Sequence, residues 1–164
     1  MRILIISASA AREGFTKKLV QQIQPLLHAD VTDLNDYHIM PYQYGAANTE
    51  DDYYKLIKHC IENYDIFIFA TPVYWYAMSG SMKTFFDRFT DLLDHYKDLG
   101  RQLRTKRMAA ISTSAGDNLG EAFWLPFSEA ARYLGMQYLG HLHTLENEVA
   151  TENLQKFCNQ VKKS

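Results

Sequence analysis

Ile66-Phe67-Ile68-Phe69-Ala70 is an unbroken apolar run of strand length. A strand with one wet face would alternate, so this run fits a strand covered on both faces, as in the parallel sheet of an α/β domain. Thr71-Pro72 closes it, because proline cannot donate to a sheet ladder. Tyr74, Trp75 and Tyr76 then fall in a loop, where burial in a core is hardest to arrange. Aromatics at a strand's carboxyl end point to a flat ligand. Ser79-Gly80-Ser81 offers a turn and an N-cap, and Met82, Phe85, Phe86, Phe89, Leu92 and Leu93 recur at helical spacing. One helix is therefore expected to run to about Leu93.

The same order of strand, polar loop and helix recurs along the chain. Residues 2–7 read as a first strand, Ala8 to Phe15 as a small polar loop, and Thr16 as the opening of a helix that carries Leu19, Val20, Ile23, Leu26 and Leu27. Ala29 to Asp33 reads as a short strand and Asn35 to Asn48 as a long loop. Thr49-Glu50-Asp51-Asp52 has the form of a capping box before an amphipathic helix through Tyr53, Leu56, Ile57, Cys60, Ile61 and Tyr64. Asp94 to Lys106 reads as a charged, solvated connection to a strand at Met108 to Thr113. Beyond a third polar loop, Thr113 to Asp117, a helix is expected from Leu119 to Tyr133 with Gly135 just past its end. Gln137 to His143 reads as the fifth strand, and Thr151-Glu152 as the cap of a closing helix through Leu154, Phe157, Cys158 and Val161. This alternation predicts a single domain over residues 1–164, an α/β three-layer sandwich whose five-stranded parallel sheet has the order 2-1-3-4-5. Such sheets bind ligands outside the carboxyl ends of the strands where the order reverses.

Composition narrows the partners. A net charge of -2 gives no field for attracting nucleic acid or an anionic membrane, so neither is expected. Cys60 and Cys158 are far apart with no metal-ligand spacing, which predicts no metal and two buried, reduced thiols in a cytoplasmic protein. The first apolar run is too short for a membrane span or signal peptide.

Chemistry concentrates in three loops. Ser7 to Thr16 offers hydroxyls, glycine and amides at a helix start, which suit a phosphate monoester. It has neither the Walker pattern nor GxGxxG, which argues against an NTPase or a dinucleotide domain. The second loop supplies aromatics, and the third supplies small residues whose backbone can approach a ring edge. Together they describe a phosphate at one end and a flat heterocycle at the other.

In Ser9 through Thr16 with Leu19, in Thr71-Pro72-Val73-Tyr74-Trp75 with Met78-Ser79-Gly80, and in Lys83, Phe85, Asp87 and Arg88, the chain resembles the flavodoxin-like NAD(P)H-dependent FMN reductases and quinone reductases. The resemblance implies a flavodoxin-like fold, FMN as cofactor, and NADH or NADPH as co-substrate. It also implies a homodimer that passes electrons to a small-molecule acceptor: a quinone, free flavin, nitro or azo compound. By that resemblance Ser9, Arg12, Gly14, Phe15 and Thr16 hold the FMN phosphate. Pro72, Val73, Tyr74, Trp75 and Tyr76 line the ribityl chain and ring, and Ser114, Ala115 and Gly116 meet the pyrimidine edge. The family pattern Gly-Ser-Pro-Arg stands here as Ala8-Ser9-Ala10-Ala11, which makes Arg12 the candidate replacement for the arginine. Tyrosines stand at Met40 to Tyr44, where iron-sulfur relatives have cysteines.

Plainer readings compete. Tyr74, Trp75 and Tyr76 also suit a subunit interface. Lys83 and Asp87 can pair on a helix surface, and Arg88 can be structural. Contact of the basic cluster Arg101, Arg104, Lys106 and Arg107 with a nicotinamide cofactor's phosphate is a further alternative. His141 and His143 share one side of a regular strand, without a third metal ligand. The scattered serines have no GxSxG elbow. The rival functions are a flavodoxin-type electron carrier and a flavin-free regulatory domain.

Overall fold

The computed structural model of the protein describes residues 1–45, 47–117, 119–146 and 152–163. Its five strands are β1 (Ile3–Ser7), β2 (Asp30–Asp33), β3 (Ile66–Pro72), β4 (Arg107–Ser114) and β5 (Gln137–Leu145). They form one sheet in the order β2-β1-β3-β4-β5, and every neighbouring pair is parallel. Both β1 and β3 are buried on each face along their whole length, the arrangement that their apolar runs require. Pro72 is tolerated in the central strand because β1 pairs with β3 only as far as Ser7 opposite Ala70. The absent N–H therefore leaves no β1 carbonyl unserved.

Helices cover both faces. On one side α1 (Phe15–Leu27) and α7 (Glu152–Lys163) pack Leu19, Ile23, Leu154 and Phe157 against Ile5, Ile68 and Ile111. On the other, α2 (Tyr53–Asn63), α3 (Gly80–Asp87), α4 (Phe89–Asp94), α5 (Lys97–Gln102) and α6 (Leu125–Leu134) cover Leu4, Phe67, Phe69 and Ala110. Each layer holds one buried, free cysteine: Cys158 in the first and Cys60 in the second. Burial pushes the Cys60 thiol up to about 12, and the Cys158 thiol is also raised by burial.

Four local expectations are revised. The helix expected to run through Leu93 is two helices, α3 (Gly80–Asp87) and α4 (Phe89–Asp94), meeting at Arg88. Arg88 lies in the core at 1% exposure, its guanidinium hydrogen-bonded to Asp51, Asp91 and the carbonyls of Met40 and Asn48. The supposed capping box works differently. Asp52 takes the N-cap but its side chain accepts from the His38 amide rather than from the helix, while Asp51 accepts from the amides of Met40 and Tyr53 and faces Arg88. The charged connection contains α5 (Lys97–Gln102) and a 3-10 turn, which bury Leu99 and Leu103. After the third loop, a 3-10 turn (Glu121–Trp124) precedes α6 (Leu125–Leu134), with Gly135 in the left-handed conformation as its C-cap. Thr151, expected to cap α7, lies outside the described residues.

Candidate functional site

The parallel order brings the loops after β1, β3 and β4 side by side, and side chains then fasten them to one another. Ser79 does two jobs: its hydroxyl donates to the Ala8 carbonyl at 2.9 Å, and the same oxygen accepts from the Met82 amide to cap α3. Thr71 Oγ1 accepts from the Ser79 amide at 2.9 Å. The first and third loops meet through the hydroxyls of Thr16 and Thr113, 2.9 Å apart and buried, while the Val73 amide donates to the Thr113 carbonyl. All three loops are thus joined by direct hydrogen bonds.

In the first loop, Gly14 is the N-cap of α1, and no side chain caps that helix or places an acid in its first turn. A Cβ at Gly14 would stand 3.0 Å from Ala11 Cβ and 3.2 Å from its carbonyl oxygen, so a side chain there would fit only if the Ala11 turn gave by a few tenths of an ångström. Buried Ser9 accepts the Ala11 amide at 3.2 Å, which leaves its own proton to donate. Phe15 is half-buried with the Lys18 ammonium 4.8 Å from its ring centroid. Arg12 goes elsewhere: it donates to Asp36 Oδ1 at 2.9 Å and to the Asn35 carbonyl at 3.0 Å. A cavity of about 350 Å³ on that side is lined by Glu13, Asp33 and Asp36 beside Arg12 and Lys17. Ser9 lines that cavity too, and the cavity's carboxylates repel a dianion, whereas the start of α1 beside the Thr16 hydroxyl carries no acid.

The aromatic loop is a tight reversal. Tyr74 and Ala77 exchange both backbone hydrogen bonds, and the intervening Trp75 and Tyr76 have φ of 50° and 61°. Positive φ at both central residues defines a type I′ turn, a position that Asn-Gly ordinarily fills because bulky residues are strained there. Trp75 is 95% exposed and Tyr76 63%, so burial does not explain the strain; Pro72, before them, is buried and Val73 half-buried against the core. Ser114 sits at the end of β4, and Ala115 and Gly116 are exposed beyond it. The Ser114 hydroxyl donates to the Gly116 carbonyl at 2.7 Å and contacts Nε2 of His143 at 3.0 Å.

The basic cluster lies at the other end of the molecule. Arg107 opens β4 at its amino end, and the Lys106 ammonium donates to the Tyr64 carbonyl there. The strand between Arg107 and Ser114 spans roughly 23 Å at 3.3 Å per residue, which removes the cluster from the loops.

The sequence pattern of the NADPH-dependent FMN reductases matches residues 1–150. The chain belongs to this family. A Bacillus subtilis (strain 168) protein given the name NAD(P)H-dependent FMN-containing oxidoreductase YwqN is 29% identical, covering 87% of this chain and 83% of its own. Among solved structures, the Trp repressor binding protein from Bacillus subtilis has a TM-score of 0.77 at 23% identity, over 99% of each chain. The NAD(P)H:quinone oxidoreductase from Methanothermobacter marburgensis has a TM-score of 0.72 at 14% identity, over 99% of this chain and 93% of that one. These two likenesses establish the flavodoxin-like fold. The reductase is an NAD(P)H-dependent FMN oxidoreductase, with FMN as its flavin and NADH or NADPH as co-substrate.

The residues present suit that flavin. The reductase offers an uncapped helix start for a phosphate, a strained and exposed aromatic turn for a ring, and a small-residue loop for a ring edge. Sequence reasoning passed over Thr113, Asn35 and Ser112. Asn35 Nδ2 holds the Ser9 carbonyl at 2.7 Å, and Ser112 Oγ lies 2.8 Å from Nδ1 of His143. Thr113 stood in the third polar loop and Ser112 among the serines weighed for a hydrolase, whereas Asn35, in the 3-10 turn Leu34–Asp36, reaches Ser9 from a separate loop and carried no local signal. The reductase has no helix long and apolar enough to cross a membrane and no group of three His, Cys, Asp or Glu placed for a metal, among the described residues.

Proposed function

We propose that the protein is a cytoplasmic homodimer that reduces its FMN with NADH or NADPH and passes the electrons to a quinone, free flavin, nitro or azo compound. The fastening of the three loops into one unit carries this reading, because it joins an anion seat, an aromatic wall and a small-residue edge. The given name of the Bacillus subtilis relative supports the co-substrate, and that of the archaeal quinone oxidoreductase supports a quinone as acceptor. The exposed aromatic turn, Trp75 with Tyr76, supports a partner subunit.

The flavin supplies hydride acceptance from nicotinamide and electron delivery to the second substrate. The protein's residues bind and orient. The α1 amides with the Ser9 and Thr16 hydroxyls would hold the phosphate, and Arg12 could join them by leaving Asp36, since an exposed pair of that kind is worth only about 0–1 kcal/mol. Pro72 to Tyr76 would wall the ribityl chain and ring. The amides of Ala115 and Gly116 would face the charge that grows on reduction, so no side-chain acid or base is required.

The test is the visible spectrum of purified protein with FMN, before and after NADH or NADPH under nitrogen, followed by each acceptor class. FMN should bind and quench part of the tryptophan fluorescence, a nicotinamide should bleach it, and a quinone should restore the colour. Bound FMN that neither nicotinamide reduces would indicate an electron carrier instead, and absence of FMN binding would overturn the reading. Sedimentation across a dilution series reports the dimer.

A further inference from the structure

On the edge strand, β5, His143 bridges two serines of β4 through both of its ring nitrogens: Nδ1 to Ser112 Oγ at 2.8 Å and Nε2 to Ser114 Oγ at 3.0 Å. The direction of one bond is fixed by counting protons. Ser114 spends its only hydroxyl proton on the Gly116 carbonyl, so its oxygen can only accept from His143, and Nε2 must carry hydrogen. Nδ1 in turn meets buried Ser112, so the chain runs from Ser112 through the imidazole to Ser114 and on to the Gly116 carbonyl.

A second feature places the imidazole there. Between Met108/Tyr138 and Ala110/His141 the β4–β5 register slips by one residue, and Gly140 at the slip has φ of 106°. This bulge reverses the alternation of β5, so that Leu139 and Leu142 both face the α1/α7 layer while His143 comes opposite Ser112. Gln160 of α7 pins the bulge by donating to the Leu139 carbonyl. Without it Leu142 would stand opposite Ser112.

The structure assigns His143 a role as a positioning residue for the flavin's ring edge, an inference that rests on the FMN site proposed above. Its chain anchors the Gly116 carbonyl against the Ser114 hydroxyl. Because the Gly116–Asp117 peptide is trans, its N–H is turned the opposite way, away from Ser114. That adds the Asp117 amide to those of Ala115 and Gly116 as a donor for the anionic reduced ring, held in place before the charge arrives.

The experiment compares wild type with His143→Ala, His143→Gln and Ser114→Ala, reading the FMN dissociation constant, the two-electron midpoint potential of bound FMN, and amide hydrogen exchange at residues 114–117 in cofactor-free protein. His143→Ala and Ser114→Ala should speed the exchange and weaken reduced FMN about tenfold more than oxidised FMN, which lowers the midpoint by about 30 mV. His143→Gln should restore most of the potential, because an amide also offers an acceptor and a donor. Wild-type potentials in His143→Ala and Ser114→Ala, with FMN affinity still sensitive to Ser9→Ala and Thr16→Val, would overturn this inference while sparing the site. FMN affinity indifferent to Ser9→Ala and Thr16→Val would overturn the site and the inference with it.

Discussion

Thr16 and Ser9 offer a sharp test of the anion seat. If each donates to the phosphate, Thr16→Val and Ser9→Ala should each weaken FMN by about 1.5–3 kcal/mol, about 10- to 150-fold in dissociation constant by fluorescence titration. Arg12→Ala should cost less than either, because its guanidinium is already engaged by Asp36 and Asn35. Trp75 carries the opposite kind of prediction, since its positive φ costs stability that a functional site can tolerate. Trp75→Gly should stabilise cofactor-free protein by about 1 kcal/mol, a rise in Tm of about 2–4 °C, while weakening FMN. A Trp75→Gly protein with intact FMN affinity and turnover would remove the indole from the site. Trp75 was legible as a loop aromatic from its neighbours; its left-handed backbone was not, because nothing in Trp-Tyr marks a type I′ turn.

Arg88 shows what limits prediction of an element. Phe85, Phe89 and Leu92 keep helical spacing straight through it, so the pattern alone continues the helix. What breaks it is a buried guanidinium whose partner Asp51 lies 37 residues away. By contrast β3 and β1 were readable throughout, because a strand buried on both faces writes itself as an apolar run. The site divides the same way: its loops are visible in composition, but the ties Thr16–Thr113 and Ser79–Ala8 span 97 and 71 residues and no local pattern encodes them. The β5 bulge had only Gly140 as its mark. Arg88→Met should leave two buried carboxylates unpaired and destabilise by about 3–5 kcal/mol, lowering Tm by about 6–20 °C. Burial by itself would raise the Asp51 carboxyl, but the bonds from Arg88 and the Met40 amide outweigh it and hold it below the ordinary range. A depressed folded value means this stabilisation is complete above the unfolded value of about 4 and is lost as pH falls through the folded one. Melting curves from pH 7 to 3 should therefore show wild type losing Tm below about pH 4, with a smaller loss in Arg88→Met.

At the scale of the molecule, one sheet separates two apolar layers, and its strand direction puts the three loops at one end and the basic cluster at the other. The FMN end should therefore be insensitive to changes at Arg101, Arg104 and Arg107, which unaltered NADH and NADPH kinetics in their alanine variants would check. The two cysteines follow the same division, one in each layer. With the Cys60 thiol near 12, only about one in a hundred thousand is thiolate at pH 7, so neither buried sulfur is a ready target while the fold is closed. Each therefore acts as a clock for the layer that hides it. Alkylation followed by peptide mass analysis should find Cys60 and Cys158 modified at one common rate if the sheet opens as a whole, and at two rates if either helical layer peels away first.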